Sequence, residues 1–238
     1  MCESCGCTVP QPEKTRTMEI LSSIFSANDH EAAHNRSHLS RHGVLAVNLM
    51  SAPGAGKTAL LEAVIDTWGN RYRLGVIEGD LETQNDAQRI RAKGVPAIQI
   101  NTGSACHLDA VMIHNAMHQI NLDTIDILFI ENIGNLVCPA AYDLGQNANV
   151  ILLSVTEGDD KPAKYPVMFR IADLMLVSKT DLLPHLDDFQ VARAENHLRK
   201  LANRAPVVSI STRNGQGMTQ WLDWLEQRLV SFRQSCSS

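Results

Sequence analysis

Apolar residues in this chain come in short unbroken runs more often than in strict alternation. Val44–Met50, Leu74–Glu78, Val95–Ile100, Ile125–Ile130, Asn149–Val155, Leu174–Val177 and Val207–Ile210 are runs of this kind. Such runs suit strands buried on both faces of a parallel sheet. Between them, Ala59–Asp66 and the stretches 84–93, 106–120, 187–202 and 217–232 repeat with helical spacing. The alternation predicts an α/β fold, a three-layer parallel β-sheet domain with ligands at the carboxyl ends of its strands. Ahead of it a helical pattern runs from about Thr17 to Arg41, its apolar part being Met18, Ile20, Leu21, Ile24 and Phe25. Residues 1 to about 14 hold three cysteines, two prolines and few large apolar groups, and read as a flexible arm. The expected division is 1–42 for the metal-binding arm and helical extension, and 43–238 for the α/β domain. No internal repeat is visible.

The turn Ser51-Ala-Pro-Gly-Ala-Gly-Lys57-Thr58 lies between the first strand and the first helix of that domain. This order and composition make it a phosphate-binding loop. Backbone N–H groups through Gly54, Ala55, Gly56 and Ala59 are expected to face phosphate oxygens, aided by the helix N-terminus. Lys57 reaches the β- and γ-phosphates, and the Thr58 hydroxyl ligates Mg²⁺. Ser51 stands where the standard pattern has Gly, which costs little if its dihedrals are ordinary.

Three further segments fit GTP. Asp80 ends the second strand, where a carboxylate sits near Mg²⁺. Glu131 ends the run Ile125–Ile130 and suits the metal side, while Gly134 can approach the γ-phosphate through its N–H. Ser178-Lys179-Thr180-Asp181 resembles the base-reading Asn-Lys-x-Asp motif of GTPases, with Ser178 in place of Asn. Asp181 can accept from N1–H and the exocyclic amine of guanine, donors that adenine does not present together. Lys179 is expected along the base plane, and Ser211 in the segment that closes the pocket. Lys57, Asp80 and Glu131 are thus the candidate catalytic residues.

Two cysteine constellations point to a second chemistry. Cys2-Glu-Ser-Cys5-Gly-Cys7 places three thiols where they can wrap one ion, with Ni²⁺, Zn²⁺ and Cu(I) all reasonable. Cys106-His107, expected at the start of a helix, and Cys138, just past Gly134, form a second candidate for Zn²⁺ or Ni²⁺. His30, His34, His38 and His42 recur every fourth residue and so share one helix face. With no carboxylate tightly interleaved, that face reads as a polar stripe, and His114 and His118 read as surface residues.

Charge narrows the partners. The 238 residues carry 21 Lys and Arg against 26 Asp and Glu, a net charge of −5, with no basic run. Nucleic acid and membrane are therefore not expected partners. The polar beginning Met1-Cys-Glu-Ser-Cys lacks a signal peptide's apolar segment, so a cytoplasmic protein is expected. There six cysteines serve as thiols or metal ligands rather than disulfides.

Taken together, these residues resemble the HypB family, P-loop GTPases of the SIMIBI class that assist nickel insertion into [NiFe]-hydrogenase. The resemblance covers nearly the whole chain. It rests on Cys2-x-x-Cys5-Gly-Cys7, on Cys106-His107 with Cys138, and above all on Glu131-Asn-Ile-Gly-Asn-Leu-Val-Cys-Pro139, which joins a switch to a metal ligand. It implies a homodimer with slow GTP hydrolysis, GTP and Mg²⁺ as nucleotide and cofactor, and Ni²⁺ and Zn²⁺ as bound metals. It also implies a HypA-type metallochaperone, a SlyD-type nickel protein and the hydrogenase large subunit as partners. The absence of a long polyhistidine tract departs from some family patterns and argues against bulk nickel storage. A urease-type nickel GTPase, a P-loop small-molecule kinase and a metal-buffering protein with a structural nucleotide are the competing readings.

Overall fold

The computed structural model describes residues 14–80, 85–103 and 105–236, with side chains described from residue 25 onward. Seven parallel strands form one sheet: β1 (Leu45–Ser51), β2 (Leu74–Asp80), β3 (Ala97–Asn101), β4 (Ile127–Glu131), β5 (Ala148–Ser154), β6 (Leu174–Ser178) and β7 (Val207–Ser209). Their order across the sheet is β3-β2-β4-β1-β5-β6-β7. The unbroken apolar runs become central strands because helices cover both faces.

Strand alternation sorts the core. Leu45, Val47 and Leu49 of β1 pack with α2 (Lys57–Trp68), α3 (Asn85–Ala92) and α8 (Met218–Cys236). On the other face Ala46 packs with α1 (Lys14–Arg41) and α4 (Ala110–Met117). Met50, also on that face, packs with α6 (Pro166–Arg170) and α7 (Val191–Lys200). The short helix α5 (Lys161–Lys164) precedes α6, and neither was apparent from periodicity. Between the two clusters of the second face sits buried Asn48, which donates to Asn149 Oδ1 and accepts from Asn132 Nδ2, each at 3.2 Å. Asn132 follows Glu131, so this network ties the end of β4 to β1.

Helix α1 is seated on the sheet domain. Leu39 is fully buried in the core. Polar groups fix the rest: Asn35 Nδ2 donates to the carbonyls of Ala110 (2.8 Å) and Leu144 (3.2 Å). Asn28 Oδ1 accepts from Ala110 N–H, and Arg36 forks onto both oxygens of Asp143. Among the described residues, no helix is long and apolar enough to cross a membrane.

Parallel registers bring the expected chemistry to one edge. Glu131 lies opposite Leu49 of β1 and Glu78 of β2, while Ser178 lies opposite Ser154. The ends of β1, β2, β4 and β6 therefore share the carboxyl edge.

Candidate functional site

Between Ser51 and Lys57 the chain turns through Gly54 and Gly56, with φ of +72° and +101°. Glycine reaches this left-handed region without a Cβ penalty. Gly56 precedes α2 and supplies no side-chain cap, which leaves the N–H groups of the first helical turn for an anion. Ser51 keeps an ordinary negative φ, so its substitution for Gly introduces no strain. It also finds a contact: Lys57 Nζ donates to Ser51 Oγ at 3.2 Å, and that hydroxyl donates to the carbonyl of Ala52 at 2.6 Å. The lysine head is thus buried and held inside its own loop.

Carboxylates gather opposite it. Thr58 Oγ1 donates to Glu131 Oε1 at 2.8 Å, and the other oxygen, Oε2, is buried without a partner. Glu78, beside it on β2, also has a buried, unpartnered Oε2. Burial pushes Glu78 up to about 8, with the charge of Glu131 adding to it. Burial likewise pushes Glu131 to about 7, opposed by the Lys57 charge and the Thr58 hydrogen bond. Lys57, Glu78, Asp80, Asp86, Glu131 and Gly134 line one cleft of about 230 Å³. Two buried carboxyls side by side are costly unless protonated or bridged by a cation. The donor set of hydroxyl and carboxylate oxygens fits Mg²⁺.

Glu78 was not foreseen as a site residue. Its signal was the two-residue spacing to Asp80, which puts both acids on one face of β2. A larger cleft of about 670 Å³ opens by Leu74, at the amino end of β2, away from all of these groups.

The base-motif segment closes on the phosphate loop. Ser178 Oγ donates to the carbonyl of Ala55 at 2.7 Å, and Lys179 Nζ donates to that of Gly54 at 2.7 Å. Lys179 has a left-handed φ of 59°, a strained conformation for a lysine that this contact helps to hold. Ser211 Oγ donates to Asp181 Oδ1 at 2.6 Å, which orients the carboxylate. Ala59 lies in the first turn of α2.

The second metal-type constellation also assembles. Cys106 Sγ donates to Cys138 Sγ at 2.9 Å, and His107 Nδ1 lies 3.9 Å from Cys106 Sγ. These three ligand atoms could surround one ion. The hydrogen bond to Cys138 and burial both push the Cys106 thiol up, and burial lowers His107 against the opposing charge of Asp109. His107 stacks on Tyr142 at 3.9 Å between ring centroids. The expected helix start is corrected: Cys106 and His107 lie in the preceding loop, and α4 begins at Ala110. Asp109 caps it by accepting from Met112 N–H at 2.8 Å, a role aspartate fills better than cysteine. The loop is anchored instead by Asn135 Nδ2, which donates to the Cys106 carbonyl at 3.3 Å. Cys2, Cys5 and Cys7 lie outside the described residues.

A family model described as the CobW/HypB/UreG nucleotide-binding domain matches residues 45–209. The hydrogenase maturation factor HypB of Azotobacter vinelandii is 50% identical over 219 residues, covering 92% of this chain and 72% of that protein. The crystal structure of HypB from Helicobacter pylori in complex with nickel matches with a TM-score of 0.83 and 41% identity, over 86% of this chain and 96% of that one. HypB from Archaeoglobus fulgidus matches with a TM-score of 0.80 and 38% identity, over 86% and 99% respectively. With a phosphate loop, a base-motif loop and a Cys-His-Cys cluster in one parallel α/β sheet, and with relatives this similar over nearly its whole length, the chain belongs to the HypB family of hydrogenase maturation factors.

Proposed function

We propose that this protein hydrolyses GTP and uses the nucleotide state to control a metal ion that it carries, nickel with zinc as a competitor, for [NiFe]-hydrogenase. The observation that carries this reading is the short path between two sites. Glu131 faces Thr58 of the phosphate loop, Gly134 abuts Pro53, and Cys138 on the same segment meets Cys106 at 2.9 Å. A γ-phosphate contact at Gly134 acts on the backbone that carries a metal ligand.

In this mechanism the loop Gly54–Ala59 and the N-terminus of α2 hold the β- and γ-phosphates, and Lys57 offsets charge on the transferring group. Water attacks the γ-phosphorus, the bond to the β-phosphate oxygen breaks, and GDP and phosphate leave. Thr58, Asp80 and Glu131 are the residues that would hold Mg²⁺, which neutralises phosphate charge when bound. Asp181, oriented by Ser211, selects guanine, and Lys179 lies along the base. Slow turnover is expected, since among the described residues no glutamine lines the cleft.

Cys106, His107 and Cys138 bind Ni²⁺ or Zn²⁺ with a position left open for transfer, and Cys2, Cys5 and Cys7 form a separate nickel site. Residues 1–42 act as arm and extension and 43–238 as the GTPase unit. The resemblance implies a homodimer acting in the cytoplasm, with a HypA-type metallochaperone, a SlyD-type protein and the hydrogenase large subunit as partners.

The test is Ni²⁺ and Zn²⁺ affinity of a chain with Cys2, Cys5 and Cys7 replaced, measured with GDP and with a non-hydrolysable GTP analogue. The affinities should differ by about 1–3 kcal/mol, and bound metal should change GTP affinity by the same factor. Equal affinities in both states, or no change with Cys138→Ala, would remove the coupling. Phosphate transfer to a small-molecule acceptor rather than water would favour a kinase.

A further inference from the structure

The histidine stripe of α1 does not face solvent alone. It meets a second pair of histidines, His114 on α4 and His118 just past its end, and the carboxylate that the linear sequence did not associate with it comes from its own helix. His34 pairs with His114 at 5.1 Å between ring centroids, and one turn on His38 pairs with His118 at 5.8 Å. Glu31 sits at the first of these rungs. Its Oε1 lies 3.1 Å from His114 Nδ1 and 3.6 Å from His34 Nδ1. His114 was read as a surface residue; its side chain is only 25% exposed.

We propose that Glu31, His34 and His114 form a further metal site, one for a borderline divalent transition-metal ion held by two imidazoles and a carboxylate. The ligand atoms lie within 4.8 Å of one another. A tetrahedral ion with bonds of about 2.0–2.1 Å holds its ligands roughly 3.3 Å apart, so the two Glu31 contacts already have that spacing. Direction supports the same reading. His114 Nδ1 is buried and makes no hydrogen bond, although a carboxylate oxygen stands 3.1 Å away. The contact has the length of an ion pair without the alignment of one.

The donor set decides the ion class. Imidazole suits Zn²⁺ and Ni²⁺, a single carboxylate suits neither Ca²⁺ nor Mg²⁺ by itself, and without sulfur Cu(I) is not favoured. Three protein ligands leave a fourth position, which water can fill; His118 Nε2, 3.0 Å from His114 Nε2, contacts the other ring nitrogen and so can orient His114 from behind. The site shares no residue with Cys106, His107 and Cys138 and does not depend on the nucleotide. Its consequence is mechanical: an ion there ties α1 to α4, the helix that follows the Cys106–His107 loop.

The test uses the full chain with Cys2, Cys5, Cys7, Cys106 and Cys138 changed to Ser, which removes the thiolate sites, titrated with Zn²⁺ and Ni²⁺. One equivalent should still bind, and Co²⁺ in its place should show ligand-field bands without a sulfur charge-transfer band. Half-exposed His34→Ala, and Glu31→Gln, should each weaken Zn²⁺ by about tenfold or more, at least what losing an outer-sphere partner costs. His30→Ala, on the stripe but outside the cluster, should bind as its parent does. Zn²⁺ should also raise the unfolding temperature of the parent but not of His34→Ala. No stoichiometric ion in the Ser background, undiminished binding in His34→Ala, or equal loss in His30→Ala would overturn the proposal.

Discussion

A Cβ on Gly134 would lie 2.7 Å from the Cα of Pro53, so the loop after β4 and the phosphate loop touch backbone to backbone. Neither partner is a flexible side-chain tip, so a methyl group must push one loop away from the other. Gly134→Ala is expected to keep the fold, by circular dichroism, and to lower GTP turnover by up to about 100-fold, the scale of a 1 Å misplacement. Turnover at the parent rate would mean that this contact does not position the phosphates.

If the proposed function holds, guanine selection rests on Asp181 and on the Ser211 hydroxyl that orients it. Asp181→Asn replaces a two-oxygen acceptor with a mixed donor and acceptor. GTP binding should weaken and xanthosine triphosphate binding should improve. Ser211→Ala should show a smaller loss of GTP affinity without gaining the xanthine nucleotide, because the carboxylate remains. Competition of ATP with GTP on equal terms in the unmodified protein would contradict the assignment.

The paired acids of β2 and β4 should give the nucleotide-free protein an inverted pH dependence. Glu78 and Glu131 hold their protons to about 8 and about 7, against an ordinary value of 4.5 in the unfolded chain. The folded state therefore binds more protons than the unfolded state across that window, and stability falls as pH rises through it. Urea midpoints should drop between about pH 5 and about pH 8, and Glu78→Gln should flatten much of the slope. GTP with Mg²⁺ should release protons on binding near neutral pH, seen as a calorimetric enthalpy that varies with the buffer. A midpoint that rises over this range, or an unchanged slope in Glu78→Gln, would exclude the carboxyl pair as its source.

Asn35 tests how α1 is held. Asn35→Ala strips the donors from the buried Ala110 and Leu144 carbonyls. The expected loss is about 1–3 kcal/mol, toward the low end because Asn35 Oδ1 already lacks a partner. Chemical denaturation measures it. A loss no greater than a surface substitution gives would mean that Leu39, Asn28 and Arg36 hold the helix without help from Asn35.

The sequence by itself determined what depends on near neighbours along the chain. The phosphate loop was legible because glycine spacing, a preceding apolar run and a following helical pattern all lie within about twenty residues. The parallel sheet followed from runs that had to be buried on both faces, and the Ser178–Asp181 segment from its place after β6. Tertiary structure decided what depends on separation in space. Glu78 looked like the end of an ordinary strand, and only the pairing of β2 with β4 buried it against Glu131. Cys106 and Cys138 are 32 positions apart, and the packing of their loops brought the sulfurs to 2.9 Å. The stripe on α1 looked like a polar surface because its partners, His114 and His118, belong to another helix. Propensity and periodicity act locally, whereas burial, charge pairing and ligand geometry arise when the strand order and helix packing bring remote side chains together.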